Sequence, residues 1–428
     1  MSGRTARAAA AEALRRVIDD GAYSSVVIPA ILGRSGLDER DRRFAAELAY
    51  GGLRRRTFLD SVISERSTRP MTRMSPTVRS ALRLGAHQLL DMDVAAHAAV
   101  GETVELVSPR ERGFVNAILR RIAAERPAPP EGDDDDAIAT RSGMAPWAVH
   151  ELRRLLGEDV GAAAEALGAP APLCLRTNVC RVSPQELSEA LRSEGHRPAR
   201  SGLDPDCLLL ERGDPRALPG YEHGWFAVQD QASAFVARAL GCLPGDRVLD
   251  ACAGPGGKAT ALACAVAPDG AVVAADLHPR RAGLVRANAR RLGLGVAVLA
   301  QDALRPALRG PFDRILIDAP CSGLGSARRR PELLWRPRRE DLSTLARRQV
   351  AIVASAAELL RPAGRLVYAV CTFPRAETDA AVDAILRRRP DLRPAPVEGP
   401  EGPAERVRLW PHVHGSDGMF LAAFERSG

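Results

Sequence analysis

From about Gly224 onward, five short apolar runs, "RVLDAC", "AVVAAD", "VAVLA", "RILIDAP" and "RLVYAVC", alternate with stretches patterned as helices. Strands this apolar must be covered on both faces, and strands separated by helices pair in parallel. The second half of the chain is thereby confined to a doubly wound α/β sheet. Such sheets bind ligands beyond the carboxyl ends of their strands, which reduces the search for chemistry to a few positions.

Those positions carry acids and thiols. The first strand ends in Asp250 and runs into "ACAGPGGK", where Gly254, Gly256 and Gly257 let the backbone turn tightly and approach a ligand before a helix begins. The turn has neither the phosphate-loop pattern nor the Gly-x-Gly-x-x-Gly dinucleotide fingerprint. The second strand ends in Asp276, suited to ribose hydroxyls, and the third is followed by "QDA", which puts Asp302 where an adenine amino group would be met. Three such acids without a pyrophosphate grip fit S-adenosylmethionine better than a nicotinamide dinucleotide.

The fourth strand ends in "LIDAPCSGLG", with Asp318 and Cys321, and the fifth in "YAVCT", with Cys371. Two thiols at neighbouring strand ends can face one crevice. Cytosine C5 is not nucleophilic in the intact ring, and a thiolate adding at C6 makes it enamine-like. After methylation a base removes the C5 proton and the thiol is eliminated. Asp318 is the candidate to stabilise that adduct near N3 and the exocyclic amine. Lys258, the only lysine in the chain, opens the helix after the glycine turn. There its compact ammonium suits a methionine carboxylate better than a broad guanidinium would.

At 428 residues the chain has room for two or three domains. Thr5 to Glu125 shows helical spacing throughout and reads as an all-helical bundle, with helix starts at Asp38, Ser75 and Ser108-Pro109. "RPAPPEGDDDDA" reads as a linker, and a strand, helix, strand series from "PLCLRTNVCRV" to "DCLLLER" as a small α+β subdomain. The expected divisions are 1–126, 127–139, 140–222 and 223–428.

A net charge of +7 favours a polyanionic partner. "ARRRPELLWRPRR" combines dense arginine with an aromatic ring, making Arg328, Arg329, Arg330 and Trp335 candidates for RNA contact. Arg40, Arg42, Arg43 and Arg54 to Arg56 offer a second basic face. The eight cysteines have no paired spacing and no secretory signal precedes them. They read as reduced thiols of a cytoplasmic protein, with Cys174, Cys180, Cys207, Cys242 and Cys264 as small buried hydrophobes. No metal site and no membrane span are expected.

Together, "DACAGPGGK", "ADLHPRR", "QDA", "DAPCSGLGSARRRPELLWR" and "YAVCTFPRAET" resemble the Sun family of RNA cytosine-5 methyltransferases. The helical front, with "LDERDRRFAAELAYGGLRRR", "HAAVGETVELV" and "GFVNAILRR", resembles the NusB-like domain joined to some of those enzymes. The resemblance implies a NusB-like bundle, the small α+β subdomain and a C-terminal Rossmann-like methyltransferase domain that uses S-adenosylmethionine on 16S ribosomal RNA. It also implies a cofactor site lined by Cys252, Ala253, Gly254, Pro255, Gly256, Gly257, Lys258, Asp276, Arg281, Asp302 and Asp318. Cys371 becomes the nucleophile and Cys321 the thiol that helps release product, whereas DNA cytosine methyltransferases use the thiol at the Cys321 position. Two departures stand out: Val370-Cys371-Thr372 replaces the usual Thr-Cys-Ser, and Glu377-Thr378-Asp379 the usual Glu-Asn-Glu. Transfer RNA as substrate, or a non-catalytic RNA-binding or ribosome-assembly role, are the alternatives.

Overall fold

The structure, a computed structural model, describes residues 5–92, 94–211 and 213–428. They form two compact units: one runs to Ala169 and takes in Ala327–Pro337, and the other comprises Pro170–Ser326 and Arg338–Gly428.

The first unit is helical: α1 (Ala6–Ile18), α2 (Ser24–Gly33), α3 (Glu39–Arg54), α4 (Arg56–Arg66), α5 (Pro76–Leu90), α6 (Ala96–Val104), α7 (Pro109–Glu125), α8 (Asp135–Ser142), α9 (Pro146–Leu156) and α10 (Val160–Gly168). Asp38 and Ser75 are the N-caps read from the sequence, accepting hydrogen bonds from the backbone of Asp41 at 2.8 Å and Val78 at 3.3 Å. Pro109 opens α7, where its missing N–H costs nothing. α3 and α4 are divided at Arg55, within an otherwise continuous helical pattern. The sequence pattern also missed α2, because "SSVVIPAILG" is apolar on every side and carries Pro29. α5 threads between two apolar clusters, with Val78 and Leu82 in one and Leu84 in the other.

The aspartate run expected as a linker starts a helix. Asp134 accepts the Ala137 N–H at 2.8 Å, Asp135 and Asp136 occupy the first turn of α8, and Ala137 and Ile138 are buried. Acids in a first turn are stabilised by the helix dipole, so the run that looked unstructured serves as a cap, and a boundary at 139 falls inside α8.

In the second unit, β1 (Leu173–Thr177), α11 (Pro184–Ser193), β2 (Ala199–Arg200), β3 (Cys207–Leu210) and β4 (Phe226–Val228) build an antiparallel sheet in the order β2-β3-β1-β4. A capping box between Ser183 and Glu186 starts α11. The fourth strand lies beyond the division drawn at 222. After it come α12 (Gln231–Ala239), β5 (Arg247–Asp250), α13 (Gly257–Ala265), β6 (Ala271–Asp276), α14 (Pro279–Leu292), β7 (Ala297–Ala300) and β8 (Phe312–Asp318). Then follow α15 (Leu342–Ala357), β9 (Leu360–Val370), α16 (Asp379–Arg388), β10 (Leu392–Ala395), β11 (Val397–Gly399), β12 (Gly402–Ala404), β13 (Arg406–Leu409), α17 (Pro411–His414) and β14 (Met419–Arg426).

The large sheet runs β10-β14-β9-β8-β5-β6-β7, with β13 also on β14. Its β9-β8-β5-β6-β7 portion is parallel, as the five apolar runs required. β14 then pairs antiparallel with β9, so the whole sheet is mixed. Alternate residues of β9 enter opposite cores: Leu366, Tyr368 and Val370 pack with α15 and α16, while Val367 and Ala369 pack with α12 and α13. Strand order reverses between β5 and β8, which opens a crevice at their carboxyl ends.

Two cysteines depart from the expected reduced, buried state. Cys180 and Cys264 form a disulfide, and Cys180 is exposed. It ties the loop after β1 to α13 across 84 positions of sequence, a separation that no local spacing could reveal. Among the described residues no helix is long and apolar enough to cross a membrane.

Candidate active site

The glycine turn joins β5 to α13 and is fixed from below by its neighbour strand. The Ala253 N–H donates to Ala275 O at 2.8 Å, and the Gly254 N–H donates to Asp276 Oδ2 at 3.0 Å. Arg281, from the first turn of α14, donates to Gly254 O at 2.6 Å, and Asn288 donates to Pro255 O at 2.9 Å. Gly256 has φ +108°, a conformation that disfavours any side chain, and an added Cβ would lie 2.9 Å from the backbone of Val285.

The strand-end acids are held by short-range contacts. Asp276 Oδ1 accepts the His278 N–H at 3.0 Å, and Arg281 lies 3.4 Å from Oδ2. Asp302 Oδ1 accepts the Leu304 N–H at 2.9 Å. Gln301, just before it, donates its backbone N–H to Asp276 O at 3.1 Å, which places the two acidic loops side by side. Leu277, next to Asp276, is 42% exposed and offers an apolar surface at this edge of the crevice.

Lys258 donates to Asp318 Oδ2 at 2.8 Å and to Ser233 Oγ at 2.8 Å. Burial acts to lower its pKa, but the charge of Asp318 and the hydrogen bond to it outweigh that, and the ammonium is held above its ordinary value. Charge on Cys371 contributes in the same direction, so the cation, Asp318 and the thiol belong to one electrostatic neighbourhood. The lysine thus links the glycine turn at the end of β5 to the carboxylate at the end of β8. Asp250 lies beneath, fully buried, with its carboxyl pushed up to about 7 by burial first and by Asp318 second, against the pull of Lys258.

The sulfurs of Cys321 and Cys371 are 3.4 Å apart. The hydrogen bond between them, then burial, push the Cys321 thiol well above the ordinary range. Cys252 packs against the apolar cluster on the α15 face of the sheet, and burial raises its thiol too.

A NusB family match covers residues 4–124, a ferredoxin-like domain described as RsmF/B-like covers 144–215, and the family described as 16S rRNA methyltransferase RsmB/F covers 237–425. A ribosomal RNA small subunit methyltransferase B from Vibrio cholerae is 35% identical, the match covering 98% of this chain and 97% of the relative. The chain belongs to the RsmB/F family of 16S rRNA methyltransferases. A Mycobacterium tuberculosis protein named only as a methyltransferase is 41% identical, with 98% of this chain and 96% of the relative covered. The crystal structure of the protein PH0851 shares the fold across 98% of both chains, with a TM-score of 0.85 at 24% identity.

In this RsmB/F chain, the residues expected to contact RNA occupy different surroundings. Ala327–Pro337 is part of the helical unit: Arg328 is buried, Arg329 and Arg330 are half-buried, and Trp335 packs against the cluster around α1 and α3. The Arg56 guanidinium lies 4.2 Å from the Trp335 ring centroid, and Arg54 donates to Arg328 O at 3.2 Å. Burial lowers the pKa of both Arg54 and Arg56. The exposed cations next to this segment are Arg338 and Arg339, while Arg40, Arg42 and Arg43 are exposed on α3.

Sequence reasoning also missed Arg176. From β1 it donates to Gln229 Oε1 at 2.7 Å and to Thr260 Oγ1 at 2.9 Å, and so clamps the first turn of α13 from the ferredoxin-like subdomain. Its strand was legible, but nothing local announced its distant partners.

Proposed function

We propose that the protein methylates C5 of a cytosine in 16S ribosomal RNA, using S-adenosylmethionine as donor and a covalent adduct between Cys371 and cytosine C6. The observation that carries this reading is the pair of sulfurs 3.4 Å apart at neighbouring strand ends, in one electrostatic neighbourhood with Lys258 and Asp318.

The donor set fits S-adenosylmethionine. The glycine turn and the start of α13, Asp276, Asp302 and the exposed face of Leu277 supply amide, carboxylate and apolar partners for a nucleoside with an amino-acid tail. When bound, the cofactor supplies an electrophilic sulfonium methyl group.

The protein's own groups account for the remaining steps. The Cys371 thiolate, favoured by the nearby Lys258 ammonium, forms a C–S bond at C6. Asp318, held by Lys258, accepts from the exocyclic amine and orients the base, while the Lys258 ammonium offsets the negative charge that develops on the ring as the C–S bond forms. Once C5 carries the methyl group, a base removes the C5 proton, its electrons restore the C5–C6 double bond, and the C–S bond breaks. Cys321, its sulfur 3.4 Å from that of Cys371, hands its proton to the departing Cys371 sulfur and becomes the thiolate. The target cytosine must be unpaired or flipped to expose C5 and C6.

Labelled S-adenosylmethionine, small-subunit RNA and transfer RNA, followed by nucleoside analysis, test the proposal. The expected product is 5-methylcytosine in small-subunit RNA. Label in transfer RNA alone would replace the substrate, and RNA binding without any transfer by folded protein would leave an assembly factor.

A further inference from the structure

Glu377 is fully buried, and no step of the reaction above uses it. Its carboxylate accepts two hydrogen bonds from Ser322, the backbone N–H at 2.9 Å and the hydroxyl at 2.6 Å. The same hydroxyl lies 2.6 Å from Thr372 Oγ1. Ser322 follows Cys321 and Thr372 follows Cys371, so the residue after Cys321 binds the carboxylate directly and the residue after Cys371 reaches it through the Ser322 hydroxyl. Gln349, from α15, donates to Glu377 Oε1 at 2.9 Å and to Pro320 O at 3.0 Å, which fixes the residue before Cys321 as well. Tyr368, from β9, donates to Glu377 O at 2.7 Å and lies 3.0 Å from Gln349 Oε1.

A buried carboxylate is costly unless its oxygens are fully bonded. Here burial raises the pKa, while Ser322 and Gln349 lower it, so the group stays in place because its partners satisfy it. Ser322, with Pro320 held by Gln349, belongs to the Cys321 loop, and Thr372, bonded to Ser322, belongs to the Cys371 loop, the two loops whose sulfurs must stand at a fixed distance. Thr372, one of the departures from the usual family pattern, keeps the hydroxyl that this network requires.

We propose that Glu377 is a positioning residue that locks the Cys321 and Cys371 loops together and thereby sets the spacing of the two thiols. The inference rests on the cytosine-5 reading, because that reaction needs both sulfurs at one base.

The test uses the full chain and four variants, Glu377→Ala, Glu377→Gln, Ser322→Ala and Thr372→Val, each checked for folding. Methyl transfer is measured alongside cross-linking of Cys321 to Cys371 by a short bifunctional thiol reagent, with the linked peptides mapped by mass. Glu377→Ala should lower kcat by about 100-fold while both KM values hold within about twofold, because misplacement of a reacting group costs rate more than binding. Its cross-link yield should fall in parallel. Glu377→Gln keeps the shape and one acceptor oxygen, and its amide N–H can donate to Ser322 Oγ in place of the bond that Glu377 accepts, so it should restore most of both readouts. Should Glu377→Ala fail to fold, Ser322→Ala and Thr372→Val, which each remove only a hydroxyl, should show the same joint loss in weaker form. Unchanged cross-linking in folded variants, or a change confined to KM, would overturn the proposal. A wild-type protein that cross-links but makes no 5-methylcytosine would overturn the cytosine reading instead, while the cross-link series would still decide the role of Glu377.

Discussion

Around the glycine turn, Asp276 and Asp302 are held by amides of their own loops and of the adjacent strand end, whereas the Cys321 and Cys371 loops are held by Glu377, 55 positions from Ser322, and by Gln349 from α15. The acids of the donor side are fixed one at a time by backbone amides, and the thiol side by a shared network of side-chain contacts. A side built locally tolerates change one residue at a time. A side built from a shared buried network should lose its parts together.

The largest test of this contrast lies on the thiol side. Cys371→Ala should lower turnover by about 10⁴-fold or more and abolish covalent RNA capture on denaturing gels, as loss of a nucleophile does. Cys321→Ala should still capture RNA and release product slowly, and the reverse pattern would exchange the two roles. Next comes the residue that joins the sides. Lys258→Met leaves Asp318 without its cation and should reduce kcat by about 100-fold in single-turnover assays.

A smaller effect is expected on the donor side. Arg176→Met removes the clamp on α13 and should raise the donor dissociation constant by about tenfold, with kcat at saturating donor nearly unchanged, measured by calorimetry and steady-state kinetics. If kcat fell as far as it does for Lys258→Met, the division between the two sides would not hold. The smallest effect concerns Asp250, whose carboxyl titrates at about 7 against an ordinary 3.8. The folded protein binds this proton more tightly than the unfolded chain. The associated stability is therefore complete below about pH 4 and is lost as pH rises through about 7. Thermal unfolding of Asp250→Asn should accordingly compare more favourably with wild type at pH 8 than at pH 5.

The same contrast explains what the sequence disclosed. The parallel strands, the glycine turn and the acids and thiols at strand ends follow from patterns within a few residues, and so do the caps at Asp38 and Ser75. Arg176, Gln349 and the Cys180–Cys264 bridge do their work through partners far away in sequence, and pattern reading has no access to those. The arginine-rich segment after Cys321 was legible as a candidate for RNA contact but not as a packed segment: Glu332 accepts the Ser24 N–H at 3.1 Å, Leu334 O accepts the Ala145 N–H at 2.8 Å, and Arg336 donates to Val17 O at 2.8 Å. Charge density says nothing about burial when backbone carbonyls are available to receive guanidinium groups.

That segment also sets a clock. A helical unit that ends at Ala169 but includes Ala327–Pro337 is still missing a piece when its last helix leaves the ribosome, and at roughly 5–20 residues per second the piece arrives on the order of 10–30 s later. Until then the unit lacks Leu334, which is buried in the finished protein, and Trp335, which packs against the cluster around α1 and α3.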